Sequence, residues 1–319
     1  MRGRPMDSTG RESSTAVPGE FVHRANPADI MPTGWARESE DRFSVSARWP
    51  DAHAFFSPLV GGLHDPVLVA ETLRQATMLV AHAEIGVPVD HQFVMWDLTY
   101  RVDPEALSLH GLSSEVAVGL VFSDVRGRGR NLRTFRADGV IHREGRRVAT
   151  ARGRISCTSP LAYRRIRGAR MDALATPVPL IPGVAPEEVG REHPDDVVLA
   201  PATGRNRWRL RVNTAHPTLF RRPNDHVPGM LLLEAARQAA HHVTGTDTFF
   251  PSVVNMSFSR YVELAPPCWI TAEIVPATDP DMVAVRVEGH QDGEPVFHCT
   301  LSSPADAPAL VRLDRRLAG

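Results

Sequence analysis

The segment opening at Pro228 reads Gly-Met-Leu-Leu-Leu-Glu-Ala-Ala-Arg-Gln-Ala-Ala-His-His, apolar on nearly every face of a helical period, which predicts a helix surrounded by protein. Glu234, Arg237 and Gln238 interrupt it at i, i+3 and i+4, so they share one side. A second apolar run over 66–80 carries Glu71, Arg74 and Gln75 at the same spacing, among Val67, Leu68, Val69, Leu73, Met78 and Leu79. After each predicted helix the hydrophobic period falls to two. Strands are predicted over 116–123, 131–142 and 147–157 after the first helix, and over 253–262, 268–275, 282–290 and 296–302 after the second. Glu144-Gly145 and Asp292-Gly293 are turn pairs suited to hairpins that close each unit.

The two units are copies. His53-Ala-Phe-Phe, His64-Asp-Pro and Glu71-Thr-Leu-Arg-Gln-Ala resemble His216-Pro-Thr-Leu-Phe, His226-Val-Pro and Glu234-Ala-Ala-Arg-Gln-Ala in the same order, with His53/His216 and Glu71/Glu234 separated by the same interval. Each copy predicts a loop, one long apolar helix and about four strands. One helix wrapped by one antiparallel sheet is the hotdog arrangement, and duplication lets one copy cover the sheet edge that the other would expose. The expected fold is α+β, a tandem (double) hotdog; a duplicated α+β unit of another kind fits the same pattern. Expected boundaries are a disordered tail over 1–20, a first hotdog domain over 21–157, a Pro/Arg-rich linker over 158–205, a second hotdog domain over 206–303 and a C-terminal tail over 304–319.

Composition narrows the function classes. With 36 basic against 37 acidic residues, no global field draws the chain to nucleic acid or an anionic membrane. No lysine occurs, so a substrate phosphate would be held by guanidinium forks. Cys157, Cys268 and Cys299 are odd in number and form no CxxC pair, which argues against a disulfide framework or a zinc site and fits a reducing cytoplasm. The apolar runs are short and broken by charge, so no membrane span is expected, and the first residues carry no secretory pattern. The adjacent His241 and His242 diverge on a helix, so no metal is expected, nor any cofactor.

Candidate chemistry sits in the helices. A carboxylate in an apolar helix either shifts toward its neutral form or is held charged by arginine, and both states suit proton transfer; an ion pair that simply satisfies itself is the plain alternative. Pro228-Gly229 is a helix start whose amide a ligand carbonyl could reach, an oxyanion site in the functional reading and ordinary helix-start chemistry in the plain one. The first copy has Pro66-Val67 there, so the halves are not equivalent and the acyl carbonyl is placed at the second.

The string from Phe220 to Gln238 resembles the signature of the β-hydroxyacyl-ACP dehydratases at Pro228, Gly229, Glu234 and Gln238, but the dehydratase histidine falls on Phe220, which implies a similar pocket without dehydration. More closely, the span from Val22-His23-Arg24 to Ser302 resembles the A-factor biosynthesis (AfsA-type) family. The likeness rests on His64-Asp-Pro through Glu71-Thr-Leu-Arg-Gln-Ala, on Ser159-Pro-Leu-Ala-Tyr-Arg-Arg165, on the string from His216 to Ala240, and on Gly289-His-Gln-Asp-Gly-Glu294.

That resemblance implies an acyltransferase joining a β-ketoacyl group from acyl-carrier protein to the hydroxyl of dihydroxyacetone phosphate, the first step toward γ-butyrolactone signals. Non-catalytic acyl binding with a regulatory role, and thioester hydrolysis, are the competing readings. In the main one, Glu71 or Glu234 deprotonates or orients the hydroxyl, the Gly229 amide polarises the carbonyl, and Arg237 binds phosphate or holds Glu234 ionised. Arg74, Gln75, Gln238, His64 and His226 are substrate-binding candidates, and Met230, Leu233, Phe249, Phe258 and Trp269 are candidates for setting pocket depth. The arginine runs at 126–130 and 163–170 read as solvated loops first and carrier-docking sites second. The expected assembly is a monomer acting as an internal pseudo-dimer, with higher oligomers left open.

Overall fold

The computed structural model describes residues 16–56, 62–175, 177–220, 223–245 and 249–306. Of the tails expected over 1–20 and 304–319, residues 1–15 and 307–319 lie outside them, as do Arg221 and Arg222 of the family string; residues 19–21 form a 3-10 turn and Pro304 ends the last strand.

In the first copy, β1 (Pro32–Arg37) and β2 (Arg42–Arg48) precede the long helix α1 (Val67–Ala83), and β3 (Gln92–Val102), β4 (Glu115–Arg126), β5 (Thr134–Arg143) and β6 (Arg146–Thr158) follow it. A short helix, α2 (Pro160–Arg167), leads to the second copy. There β7 (Leu199–Pro201) and β8 (Arg207–Leu210) precede α3 (Gly229–Thr244), and β9 (Val253–Phe258), β10 (Cys268–Val275), β11 (Met282–Gln291) and β12 (Glu294–Pro304) follow. The strands form one twelve-stranded sheet in the order β1-β2-β4-β5-β6-β3-β9-β12-β11-β10-β8-β7. The second half of that order mirrors the first. The seam is the antiparallel pair β3–β9, in register from Asp97↔Ser257 to Arg101↔Val253. Each long helix packs on the strands of its own copy.

Local chemistry explains these elements. β5 alternates intermediate and buried positions throughout, as a strand with one face on a core must. Glu144 and Gly145 (φ 50° and 77°) join β5 to β6, and Asp292 and Gly293 (φ 54° and 79°) join β11 to β12, the left-handed pairs that two-residue hairpins need. The seven strands read from alternation are all present. Five more, β1, β2, β3, β7 and β8, were not expected: β7 and β8 are very short, β1 breaks register between Pro32 and Gly34, and β3 is bulged between Met95 and Asp97. The stretch 158–205, read from its prolines as a linker, holds α2, short 3-10 turns and β7, and it buries Tyr163, Arg167, Arg191 and Asp196. Serine at 159 caps α2 by accepting from the Ala162 amide.

Gly289 faces Phe297 across β11–β12, and a Cβ at that position would sit 2.2 Å from the Phe297 ring, itself sealed in the core. Gly289→Ala is therefore expected to cost about 1–3 kcal/mol, read from the urea midpoint. An unchanged midpoint would show that the ring yields without strain.

Candidate active site

The polar residues inside α1 and α3 form two matching clusters. Glu71 Oε1 accepts from Arg24 Nε at 3.0 Å and Nη2 at 2.6 Å, from Arg74 Nη2 at 2.7 Å and from Gln75 Nε2 at 2.5 Å, while Arg74 Nε donates to Oε2 at 2.9 Å. Glu234 is bound in the same way by Arg191 (Nε to Oε1, 2.9 Å), Arg237 (2.8 and 2.5 Å) and Gln238 (2.5 Å). Gln75 also donates to the Asp29 carbonyl and accepts from the Met31 amide; Gln238 does so with Asp196 and Val198. His53 bonds Asp29 and accepts from two amides of its own loop, as His216 does with Asp196. Each outer arginine then crosses to the other copy: Arg24 Nη1 donates to the Thr218 carbonyl and Arg191 Nη1 to that of Phe55, each at 2.7 Å.

Burial pushes both glutamates toward neutrality, but the arginines outweigh it. Arg24 and Arg74 hold Glu71 well below the carboxylate range, and Arg191 and Arg237 bring Glu234 to about 2. Both are ionised, hydrogen-bonded at both oxygens and fully enclosed.

Between the copies lies a cavity of about 570 Å³. Leu73, Met78, Phe93, Met95, Leu98, Met230, Leu232 and Phe258 give it apolar walls. From α1 come Arg74 and Thr77 and from the first cluster Arg24, while the opposite wall is the start of α3, with Asn224, His226, Pro228 and Gly229. Gly229 is the first residue of α3, so its N–H has no carbonyl partner within the helix, and the helix dipole favours negative charge there. A Cβ on Gly229 would first meet Phe258 and Met95, at 3.5 and 3.9 Å, ordinary contact distances, so glycine here serves access rather than backbone strain.

His226 is held by a web that includes α2. Asp225 Oδ1 lies 2.9 Å from His226 Nδ1 and accepts from the Tyr163 hydroxyl at 2.7 Å. Arg167 Nε donates to Asp225 Oδ2 at 2.5 Å, and its other nitrogens bind Glu263 at 2.9 and 2.6 Å. The Tyr261 ring stacks edge-on against His226 and lies under the Arg167 guanidinium. Burial raises the pKa of Asp225, but hydrogen bonds from His226, Arg167 and Tyr163 overcome it and hold the carboxylate ionised. An ionised carboxylate only accepts, which assigns a ring proton to Nδ1. The Asn224 side-chain nitrogen lies 3.5 Å from Nε2.

The structure separates the candidates read from the sequence. Arg74, Gly229 and His226 line the cavity with Met230 and Phe258; Glu71, Gln75, Glu234, Arg237, Gln238, Leu233, Phe249 and Trp269 do not. Gly229 thus faces the cluster of Glu71, not that of Glu234 on its own helix. His64 packs on Trp49 away from the cavity; burial, then the charge of Arg143, lowers its pKa to about 4. Arg24, Arg191, Tyr163, Arg167, Asp225 and Glu263 were not singled out. A signal for two of them exists: Arg24 and Asp29 are spaced as Arg191 and Asp196 are, an upstream extension of the repeat.

Two copies of a helix-and-sheet unit, joined at one seam with a cavity between them, define a double-hotdog protein. The chain belongs to the A-factor biosynthesis hotdog domain family, whose model matches residues 6–159 and 174–305. A 2-oxo-3-(phosphooxy)propyl 3-oxoalkanoate synthase of Streptomyces coelicolor is 47% identical over 92% of this chain and 93% of its own. One from Streptomyces virginiae is 44% identical over 91% and 98%. Among solved structures, the 12:0-ACP thioesterase from Umbellularia californica aligns at a TM-score of 0.48 and 11% identity, over 82% of this chain and 94% of that one.

Because Glu234 ionises more readily folded than unfolded, its contribution to stability is complete above its ordinary value of 4.5 and is lost as pH falls toward 2. Acid unfolding is expected to steepen in that window. Glu234→Gln should flatten the slope and, by leaving Arg191 and Arg237 uncompensated, cost about 3–5 kcal/mol at neutral pH. An unchanged acid slope in this variant would contradict the assignment.

Proposed function

We propose that this chain is an acyltransferase that joins the β-ketoacyl group of a carrier-bound thioester to the hydroxyl of dihydroxyacetone phosphate. The product is a 2-oxo-3-(phosphooxy)propyl 3-oxoalkanoate, the compound for which the two Streptomyces relatives are named. The observation that carries the reading is the lining of the cavity: apolar walls along its body, and Gly229, His226 and Arg74 around the same space.

In this reading the acyl chain lies along the apolar walls, with its thioester carbonyl at the Gly229 amide. His226 Nε2 takes the proton of the attacking hydroxyl while Asp225 stabilises the imidazolium through Nδ1. The helix start holds the developing oxyanion. The attack forms the ester C–O bond; the tetrahedral intermediate then collapses, re-forming the carbonyl and breaking the C–S bond, and the proton passes from His226 to the leaving thiolate. Arg74, whose side chain is 18% exposed while bound to Glu71, supplies a guanidinium for the triose phosphate. Glu71 keeps Arg24 and Arg74 in place and is not the base in this reading, since it lies outside the cavity lining and is held ionised by the two arginines. Glu234 and Arg237 are the matching structural pair of the other copy.

Mixing the protein with a β-ketoacyl carrier thioester and dihydroxyacetone phosphate should consume both and yield the phosphorylated ester by mass spectrometry. Release of free β-keto acid without the phosphate would identify a hydrolase instead. His226→Gln is expected to lower kcat by about 10²–10⁴-fold with folding intact, and Gly229→Val, which fills the space before Phe258, should abolish turnover. A His226→Gln enzyme of normal rate would remove this residue from the proton transfer.

A further inference from the structure

We infer that the outer side of α2 is the docking face for an acidic carrier protein that delivers the acyl chain; the inference rests on the acyl-transfer reading above. The inner side of α2 is committed, through Tyr163 and Arg167, to Asp225 and Glu263. Its outer side presents Leu161 and Ile166, 62% and 61% exposed, higher than any other large apolar side chain among the described residues. Arg164 and Arg165 stand between them in the sequence, both exposed, and neither forms an ion pair with a described residue. Ile166 and Arg170 also line the cavity, so this face continues into its mouth.

Charge and apolarity together select the occupant. The chain as a whole carries a formal charge of −1, so unpaired arginines clustered on one short helix are a local feature and not part of a basic surface. Exposed leucine and isoleucine on the same short helix suit a protein surface rather than a phosphate backbone, and the arginines require that surface to be acidic. Beside the mouth of an apolar cavity, such a partner would bring a tethered acyl thioester directly to its opening. Seating on α2 would also press on the helix that positions Asp225, and through it His226.

The test compares two donors of one β-ketoacyl group, an acyl-carrier protein thioester and the small N-acetylcysteamine thioester. Arg164→Glu/Arg165→Glu is expected to raise KM about tenfold or more for the carrier donor and to weaken the salt dependence of its kcat/KM. The rate with the small thioester should be unchanged. An unchanged KM for the carrier donor, or an equal loss with both donors, overturns the proposal. If the wild-type chain transfers from neither donor, the acyltransferase reading fails by itself. Docking is then decided by titrating the protein with acyl-carrier protein: weaker binding in the double variant supports the face, and equal or absent binding overturns it. Leu161→Ser/Ile166→Ser, which keeps the charge, should weaken carrier binding in the same assay.

Discussion

Arg24 commits two nitrogens to Glu71 and a third to the Thr218 carbonyl of the other copy, while Arg191 makes the mirror arrangement with Glu234 and Phe55. Ions enclosed in this way are costly to desolvate unless paired and hydrogen-bonded. Here the partners come from both copies, and only Arg191 Nη2 lacks a hydrogen bond among the described buried groups of the two clusters, lying 2.9 Å from Glu234 Oε2 as an ion pair. The position of one helix relative to the loop of the other is therefore fixed by hydrogen-bond geometry and not by apolar packing alone. The cavity lies between an α1 face held by one cluster and the start of α3, which follows a loop tied down by the same arginine. Its dimensions follow from that constraint.

The scaffold is duplicated, but the chemistry is not. At the start of α1, His64 and Asp65 are sealed in the protein, Asp65 with its pKa raised by burial and neither lining the cavity. At the start of α3 the order is Asp225 then His226, Gly229 replaces the larger Val67, and α2 supplies Tyr163 and Arg167 to hold the pair. One half keeps a buried structural polar core while the other places comparable residue types against an open space. Both halves retain the glutamate cluster while the residues at the two helix starts differ.

Much of this architecture was legible in the sequence because its signals are local. The all-round apolarity of α1 and α3, the period of two in seven strands and the Glu-Gly and Asp-Gly turns each need only a few neighbouring residues. What escaped is set by distant contacts. The facing of Gly229 toward Arg74 instead of Glu234 follows from the β3–β9 seam, and no periodicity announces which copy's loop meets which helix. Arg191 escaped for a related reason: its surroundings are rich in proline and lack a period, yet its guanidinium closes the Glu234 cluster. The Glu-Arg-Gln triplets were read as catalytic candidates from their polarity in an apolar helix, and the same polarity turns out to be satisfied internally.

The proposed acyl transfer requires one acyl site per chain, between α1 and the start of α3. The most direct measurement is a crystal structure, with calorimetric stoichiometry, of the protein bound to a non-transferable β-ketoacyl thioether. One ligand per chain is expected, with its carbonyl oxygen at the Gly229 amide and its chain beside Leu73 and Phe258. Two ligands per chain, or one seated against the α3 face beside Glu234, would contradict it.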